Sequence, residues 1–517
     1  MSHARSGRRE ARPRHRPGPA EPSVHAPAPP QGDLWPLAVA GVLLLVSRVV
    51  AAGLLDRGAE DAYITFRYAY NWGHGFGLVY NAGERVWGFS SPLWTGLLAL
   101  ASALNLDLLL AARGLALVAD LVSLVVGYRL IAARSVPAAR AYAAFFAVWP
   151  YFAVLGALGM ETSLFWCLLA LACAALGRSP WASGLALAGL ALVRPEGLFA
   201  AGLVGIWASG RARLLGAAVV AAVWVALRLY FGQWLPQSVV AKALTYGASG
   251  PWNGRFWYEW LLPFPLGRLP GLMGTRYLTA LGIFLAAGTV AGVRALWRER
   301  RSPVAALVAP GLGMLLSYAA LGVDYFYWYL YVPLASVVVG AAIGLASLRL
   351  PALLWAGLLV YAAGSWSDIN SEYRSALRTE PQRFGEAADF LTADASARGL
   401  SGAARTPSVM LEPIGWIGWS TRMRVVDETG IVTPGVAERR RGGPGWYTDV
   451  VRRERPDYLL IRLSMLNGNT AFAGLGQPFR SLAERDTLLA DYEGVYPPRG
   501  TRLLPSDLVC FRRLPRR

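Results

Sequence analysis

The chain has 517 residues, a hydrophobic fraction of 55% and a formal net charge of +18. Stretches rich in Leu, Ala, Val and Gly recur from Leu34 to about Ser365, and one bilayer crossing needs roughly 20 apolar residues. So much apolar sequence excludes a single soluble domain. It indicates an integral membrane protein that crosses the bilayer many times.

The basic charge is almost all arginine, and Lys242 is the single lysine. Arginine at helix ends and in cytoplasmic loops follows from membrane orientation alone. No basic stripe is interleaved with exposed aromatic residues, so a nucleic-acid partner is not expected. Three of the four histidines lie before residue 34, and the three cysteines lack ligand spacing. The sequence therefore predicts neither a His-built metal site nor a disulfide framework.

Composition divides the chain into three units. Residues 1–33 are rich in Pro, Arg, Ala and Gly, which predicts a disordered tail held in the cytoplasm. Residues 34–366 form the predicted transmembrane domain, with long outer loops at 56–90 and 232–275. Residues 367–517 form the predicted extracytoplasmic domain.

The third unit has the pattern of a small soluble α/β domain. A helical stretch covers Arg383 to Leu391, and short apolar runs occupy Ser408–Leu411, Met423–Val426 and Tyr458–Ile461. Alternation of this kind predicts a small α/β domain in which the apolar runs are strands.

Arginine placement orients the transmembrane unit and, by the positive-inside rule, predicts about eleven spans with the N-terminus in the cytoplasm. The expected spans are Leu34–Leu55, Leu108–Ile131, Ala138–Leu158, Thr162–Leu176, Trp181–Val193, Gly197–Trp207, Leu214–Phe231, Arg276–Leu296, Val304–Leu321, Trp328–Leu348 and Pro351–Ser365. The apolar segment Ser91–Leu104 is interpreted as a juxtamembrane or re-entrant helix, because counting it as a span would place Arg134 and Arg140 outside.

Ionisable groups at membrane depth are costly and are functional candidates for that reason. On this topology they gather on the outer side. Glu60 and Asp61 are expected at the outer end of the first helix, and Arg194 and Glu196 in a helix break around Pro195. The others are Glu161 in an outer turn, Lys242 in the second outer loop and Asp324 before the tenth span.

The first outer loop has a composition suited to a sugar. Glu60 and Asp61 precede an aromatic run, followed by Gly-permitted turns and by Trp and Tyr residues. Aromatic rings stack on the C–H faces of sugars, and a carboxylate binds or deprotonates hydroxyls. The alternative is that the acids cap a helix and the aromatic residues form an interfacial belt.

Several motifs resemble those of bacterial GT-C glycosyltransferases, in particular the mycobacterial terminal arabinofuranosyltransferase family. They include Glu60-Asp61-Ala62-Tyr63-Ile64-Thr65-Phe66-Arg67-Tyr68, Gly159-Met160-Glu161-Thr162, Val193-Arg194-Pro195-Glu196-Gly197, Ala241-Lys242 and Glu412-Pro413-Ile414-Gly415-Trp416. They occur in matching order from Glu60 to Arg462. Glu60 stands where the family has a second aspartate, and this leaves open which acid of the pair is catalytic.

The resemblance implies a fold, a reaction and roles for residues. It implies transfer of a sugar, with arabinofuranose as the suggested one, from a polyprenyl-phosphate donor to a cell-envelope glycan or lipid acceptor on the outer face, with inversion. Asp61 is the expected general base with Glu60 as its partner, and Lys242 and Arg194 are the expected phosphate ligands. The remaining candidates for substrate binding are Glu161, Glu196, His74, Tyr63 and Arg67.

Alternatives accompany these assignments. Arg194 and Glu196 could form a purely structural ion pair, and His74 could simply be solvated. No obligatory metal is expected, although Glu60 and Asp61 could hold a divalent cation weakly. The competing function is a polytopic transporter or flippase of a lipid-linked saccharide, which would account for the buried charges but typically shows inverted repeats.

Overall fold

A computed structural model of the chain describes residues 34–246, 275–321, 326–347, 374–400, 406–466, 477–498, 501 and 507–515. Several sequence-based expectations lie wholly or partly outside these residues. They include the tail 1–33, the span Pro351–Ser365, Asp324, the last residue of the span Trp328–Leu348, much of the outer loop 232–275 and parts of the domain 367–517.

The membrane part is helical. In chain order its helices are α1 (Leu34–Leu54), α2 (Glu60–Gly73), α3 (Pro92–Ala103), α4 (Leu108–Ala132), α5 (Val136–Val148), α6 (Pro150–Ala157), α7 (Thr162–Ala175), α8 (Pro180–Val193), α9 (Glu196–Gly205), α10 (Gly210–Phe231), α11 (Gln237–Tyr246), α12 (Thr275–Trp297), α13 (Pro303–Leu321) and α14 (Tyr331–Ser347), the last preceded by a 3₁₀ turn at Tyr327–Leu330.

Among the described residues, five helices are long and apolar enough to cross a membrane, and six if a bent pair forms one span. The five are Leu34–Leu54, Leu108–Ala132, Gly210–Phe231, Pro303–Leu321 and Trp328–Ser347. The chain is a polytopic membrane protein, and the larger count of about eleven spans stays a prediction. Helix α3, at 12 residues, is shorter than a full crossing.

The bent pair is α5 and α6, which the sequence predicted as one span over Ala138–Leu158. The two helices meet at 52°. Pro150 begins the second helix, and a proline inside a helix removes a hydrogen bond and clashes with the preceding turn. The break therefore has a local cause in the sequence.

The core of the membrane part is α14, whose residues Tyr331 to Leu345 are all buried. It packs closely against α12 through glycines on both helices. A Cβ at Gly292 would collide with the carbonyl oxygen of Gly340, and a Cβ at Gly344 with that of Gly288. Small residues four apart let helix backbones approach in a membrane.

A charged network crosses the same core. Arg48 on α1 donates to the Asp120 carboxylate on α4 at 2.7 Å, and the Tyr331 hydroxyl donates to the other oxygen of Asp120 at 2.6 Å. Asp120 on α4 thus bonds with residues of two other helices, α1 and α14.

One local prediction is wrong. Glu60 and Asp61 do not end the first helix, because α1 stops at Leu54 and the two acids begin a separate helix, α2. Acidic side chains are favourable at a helix N-terminus, where the backbone N–H groups carry partial positive charge. The run Glu60-Asp61 is therefore a helix start.

The C-terminal part is an α/β domain. Its elements are α15 (Arg374–Ala397), β1 (Ser408–Leu411), α16 (Gly415–Thr421), β2 (Arg424–Asp427), α17 (Val436–Arg441), α18 (Trp446–Glu454), β3 (Tyr458–Arg462), α19 (Leu463–Leu466), α20 (Leu482–Leu489), β4 (Tyr492–Tyr496) and β5 (Leu508–Arg513). The three predicted strand runs correspond to β1, β2 and β3, so the α/β prediction is confirmed.

The five strands form one sheet in the order β2-β1-β3-β5-β4. The first three are mutually parallel, and β5 runs antiparallel to β3 and β4. Successive side chains of a strand point to opposite faces of the sheet, so alternate strand residues enter two hydrophobic cores, one on each face. One core includes α15 and the first outer loop, and the other includes α18.

The first outer loop holds this domain in place. The buried guanidinium of Arg67 donates to the carbonyl oxygens of Tyr80, Gly418 and Met423 at 2.8, 2.7 and 2.6 Å. Its fourth acceptor is the Asn81 side chain at 3.2 Å. The Asn81 amide also exchanges two 2.9 Å hydrogen bonds with the backbone of Val425. These contacts cover the edge strand β2 and orient α2 against the domain.

Replacing Arg67 with Met should destabilise the protein by about 3 kcal/mol or more, because several buried acceptors would lose a charged donor. Thermal melting of the purified protein and limited proteolysis between the two parts would measure this loss. Arg85→Met, at an exposed arginine of the same loop, is the control. Equal melting of the two variants would contradict an anchoring role for Arg67.

Candidate functional site

The side chains of Asp61 and Lys242 meet at the start of α2. The Lys242 ammonium donates to the Asp61 carboxylate at 2.7 Å, and the two side chains are 25% and 24% exposed. This pair joins residues 181 positions apart in the chain. It is reachable from solvent, so a substrate can compete for either partner.

Lys242 is positioned by α11, a helix that the sequence did not predict within the second outer loop. The backbone N–H of Gln237, at the start of α11, donates to the carbonyl oxygen of Trp87 at 2.6 Å. Ala241 is buried in the same core as Trp87 and Phe231. The helix is thereby fixed to the first outer loop, with Lys242 directed at Asp61.

A second charged cluster lies at the break between α8 and α9, where the sequence predicted one. Arg194 donates to Glu161 at 2.6 Å and, through two nitrogens, to Glu196 at 3.2 Å each. Arg194 and Glu161 are almost completely buried. Arg194 thus binds Glu196 through two nitrogens, as a bidentate pair, and binds Glu161 through the third.

Two aromatic rings connect the clusters. The Lys242 ammonium lies 5.0 Å from the Phe326 ring centre, and the Arg194 guanidinium lies 4.8 Å from that of Tyr329. The two rings are themselves 5.5 Å apart. Both cations therefore make cation–π contacts with neighbouring residues before α14.

The turn that carries Glu161 is tied to the start of α2. The backbone N–H of Ala59 donates to Leu158 at 2.8 Å. Gly159 has a φ of +82°, and a Cβ there would lie 2.9 Å from the Phe66 ring. A residue other than glycine would be strained at this φ. Glycine thus allows the turn to approach α2 closely.

Glu60 faces the C-terminal domain, whereas Asp61 faces Lys242. Both oxygens of Glu60 accept from the backbone N–H of Trp416, at 3.0 and 3.1 Å. A Cβ at Gly415 would collide with the carbonyl oxygen of Glu60. Burial raises the pKa of Glu60 to about 8, and the Asp61 charge adds to this effect against the hydrogen bond from Trp416. The Glu60 carboxyl is therefore mostly protonated at neutral pH.

Three other predicted substrate ligands lie elsewhere. The Tyr63 hydroxyl accepts from the backbone N–H of Gly58 at 3.0 Å, and its ring packs 4.9 Å from Trp416. Arg67 donates to the acceptors described above. His74 is exposed at the far end of α2, about 20 Å along the helix from Asp61, and stacks on Tyr70 at 4.0 Å. Tyr63 and Arg67 make contacts that suit positioning of α2.

An apolar groove begins next to the break at Arg194. It has a volume of about 610 Å³ and lies between α8, α9 and α10. Its lining includes Leu187, Ala191, Leu198, Gly202, Gly216 and Trp224. Leu198 is two residues from Glu196, so the groove and the charged cluster share the start of α9.

Within the part of the chain that the structure describes, no group of three or more His, Cys, Asp or Glu side chains could hold a metal ion. A partly exposed carboxylate such as Asp61 is able to accept a proton, and an ammonium such as Lys242 is able to stabilise an anion.

Sequence reasoning missed the contributions of Trp416, Phe326 and Tyr329. Trp416 belongs to a motif that the sequence analysis had singled out, so its position near the acids could have been suspected. Phe326 and Tyr329 lie in an aromatic run that is equally typical of an interfacial belt. Their contacts with the two cations depend on tertiary packing.

The comparisons with known proteins give one match in the C-terminal part and a set of structural neighbours. A family described as Domain of unknown function (DUF8728) matches residues 372–507. A search of curated proteins found no match.

Solved structures resemble about nine tenths of the chain. The crystal structure of ArnT from Cupriavidus metallidurans in the apo state has a TM-score of 0.59 at 12% identity, covering 92% of this chain and 97% of that one. The same enzyme bound to undecaprenyl phosphate has a TM-score of 0.57 at 10% identity, with the same coverage of 92% and 97%. An Archaeoglobus fulgidus oligosaccharyltransferase tethered to an acceptor peptide has a TM-score of 0.50 at 14% identity, covering 90% of this chain and 72% of that one.

Identities this low establish the fold and not the reaction. The matched regions cover at least 90% of this chain, so the likeness extends over its helical membrane part and into its C-terminal domain. The protein therefore has the fold of GT-C glycosyltransferases.

Proposed function

We propose that the protein is a membrane glycosyltransferase that moves a sugar from a polyprenyl-phosphate donor to an acceptor hydroxyl, with inversion at the anomeric carbon. The observation that carries this proposal is the pairing of a carboxylate, Asp61, with the single lysine of the chain, Lys242. The fold shared with ArnT, which has been crystallised with undecaprenyl phosphate, supports it.

Asp61 is the proposed general base. The acceptor oxygen attacks the anomeric carbon while its proton passes to the Asp61 carboxylate, and the bond from that carbon to the donor phosphate breaks. Glu60 is a poor acceptor for this proton, because its raised pKa keeps the carboxyl mostly protonated at neutral pH. The role of base therefore goes to Asp61, whose carboxylate is partly exposed and contacts Lys242.

Lys242 is the proposed ligand of the departing phosphate. Its ammonium is partly exposed and can turn from Asp61 to an incoming anion. A phosphate that takes Lys242 also releases Asp61 to accept a proton. Arg194 is less suited to this contact, since its nitrogens already donate to Glu161 and Glu196. Its proposed role is to hold these two carboxylates in position for sugar hydroxyls.

The apolar groove beside α9 is the proposed site for the polyprenyl chain. It is lined mostly by small and aliphatic residues, with Trp224 and Arg213 among them, and it begins two residues from Glu196. A lipid lying there would present its phosphate near the charged clusters. We further propose that the active face is extracytoplasmic, with the N-terminus in the cytoplasm of a bacterial cell and the acceptor a cell-envelope glycan or lipid. Arabinofuranose is the sugar suggested by sequence resemblance.

Replacing Asp61 with Asn should lower turnover by about a hundredfold or more, because the amide cannot accept the proton. Transfer from a radiolabelled polyprenyl-phosphate sugar to an envelope acceptor extract would measure it, and binding of the donor should persist. Asp107→Asn is a matched control, since Asp107 is exposed and caps α4, a role that Asn fills equally well. Full transfer by the Asp61 variant would refute the assignment of Asp61 as the base. If the protein were instead a lipid flippase, the wild type would move the donor across the bilayer and form no glycosidic product.

Replacing Lys242 with Met should weaken binding of polyprenyl phosphate, because the mobile positive charge near the headgroup is lost. Lys242→Arg should retain part of the affinity as a cation of different shape. Titration of the purified protein with polyprenyl phosphate, and with the uncharged polyprenol as reference, measures the part due to the headgroup. Arg85→Met controls for the loss of an outer charge. Equal phosphate affinity in wild type and Lys242→Met would exclude Lys242 as the ligand.

Replacing Glu60 with Gln should leave transfer close to wild type at pH 7, because Gln resembles the protonated acid. The folded protein binds a proton at Glu60 that the unfolded chain releases above its ordinary pKa of 4.5. The free energy of unfolding of the wild type should therefore fall as the pH rises from 4.5 towards 8. The Glu60→Gln variant lacks this term, so its melting temperature relative to wild type should increase over that window. A constant difference between pH 5 and pH 8 would contradict the raised pKa.

A further inference from the structure

The carboxyl ends of the parallel strands in the C-terminal sheet carry charged residues that the proposed reaction does not use. Glu412 follows β1, Glu428 follows β2 and Arg462 ends β3. The carboxyl edge of parallel strands is where open α/β sheets bind their ligands. Arg462 donates to Glu412 at 3.0 and 3.1 Å, and both side chains are partly exposed.

Two buried polar groups lie beside this edge. Glu428 and Arg440 are 2% and 4% exposed. Among the residues that the structure describes, neither the Oε1 atom of Glu428 nor the Nε atom of Arg440 has a hydrogen-bond partner. The two residues are adjacent, because Arg440 Nη1 donates to the backbone oxygen of Glu428 at 3.1 Å. Buried polar groups in proteins almost always make hydrogen bonds, so these two atoms are available to bond with a ligand.

Tyr447 adds a third group of the same kind. It is fully buried, and its hydroxyl lacks a partner in the described part of the chain. Burial raises the pKa of Tyr447, and the nearby Glu428 charge is the next cause. Burial likewise raises the pKa of Glu428. The cluster therefore offers a mixture of donors and acceptors.

The edge faces the proposed catalytic site. The chain from Glu412 leads directly to Gly415 and Trp416, which contact Glu60. On the other side, α17, which carries Arg440, packs against α11, which carries Lys242. Segments beside the carboxyl edge therefore contact both helices whose residues form the Asp61–Lys242 pair.

We propose that this edge, formed by Glu412, Glu428, Arg440 and Arg462, binds the acceptor, and that the acceptor is a neutral saccharide. The proposal rests on the proposed function, because it supplies the second substrate of that reaction. Alternating donors and acceptors match vicinal hydroxyls, each of which both donates and accepts. An anionic ligand fits less well, since Glu412 already neutralises Arg462 at the rim and would repel a phosphate.

The test uses the full-length protein in nanodiscs and three probes, namely a labelled pentofuranose tetrasaccharide, a labelled hexopyranose tetrasaccharide and inorganic phosphate. At least one saccharide should bind saturably to the wild type. Glu428→Leu should weaken that binding about tenfold or more, the loss expected for a buried hydrogen-bonding group, whereas Glu428→Gln should retain most of it. The exposed neighbours on α17 provide matched controls, Glu438→Gln and Arg439→Met, which should bind as wild type does.

Stability separates binding from a structural role. Glu428→Leu should melt no lower than wild type, because an apolar side chain replaces an acid with an unpartnered oxygen. If this variant does not fold, Glu412→Gln at the partly exposed rim takes its place and should also weaken saccharide binding. Absence of saccharide binding, unchanged affinity in the folded variant, or preferential binding of phosphate would overturn the proposal.

The same samples are titrated with polyprenyl phosphate. Donor binding that persists in Glu428→Leu while saccharide binding is lost is the expected result. Donor binding without any saccharide binding in the wild type would remove only the acceptor site. Loss of both in the wild type would remove the proposed transferase function as well.

Discussion

The burial of one guanidinium group sets the geometry on which the outer face depends. Arg67 can be desolvated only because four acceptors surround it, and two of them, Gly418 and Met423, belong to the C-terminal domain. The hydrogen bonds to these acceptors hold the C-terminal domain against α2, and they also fix the rotation of α2 about its own axis. Successive residues of a helix point about 100° apart, so this rotation sends Glu60 to the domain and Asp61 to Lys242.

The charged pairs of the membrane part differ in how deeply they are buried. Arg48 and Asp120 form a fully buried pair, and Arg194 is buried between two carboxylates. Breaking such pairs is costly because a lone charge would remain in a region of low dielectric. The Asp61–Lys242 pair is about a quarter exposed, and water can solvate either partner if they separate. It is accordingly the pair suited to exchange partners with substrates.

The sequence was most informative where a single physical constraint dominates. Three strands of the C-terminal sheet were predicted to within a residue or two, because short apolar runs bounded by polar residues are typical of buried strands. The break at Pro195 was predicted for a similar reason. Helix α2 was missed because its start was read as the end of α1, and α11 was missed because it is short and only ten residues long. Local patterns do not distinguish a helix start from a helix end when acids lie between two apolar runs.

Site residues were harder to predict than elements. Burying a charge at membrane depth is costly, so acidic and basic residues on the outer side could be identified as candidates from the sequence. The same argument cannot separate Asp61 from Glu60, which are neighbours in the chain. The distinction comes from tertiary contacts: Glu60 is held against Trp416, 356 positions away, and burial there raises its pKa. Arg67 shows the same limit, since its residue type suggested a ligand for substrate while its carbonyl acceptors are contributed by tertiary structure.

The two substrates of the proposed reaction differ in where they reside, and this explains why the site is built from both parts of the protein. A polyprenyl donor stays in the bilayer, so the groups that meet its phosphate must come from helices at the membrane surface. A saccharide acceptor arrives from water and needs a polar surface that a lipid-facing helix cannot offer. Helix α11 touches both regions, with Lys242 beside Asp61 and the rest of the helix against α17. In the proposed mechanism, Asp61 therefore lies beside a helix that contacts both parts of the protein, and from there it can act on an acceptor while Lys242 holds the donor phosphate.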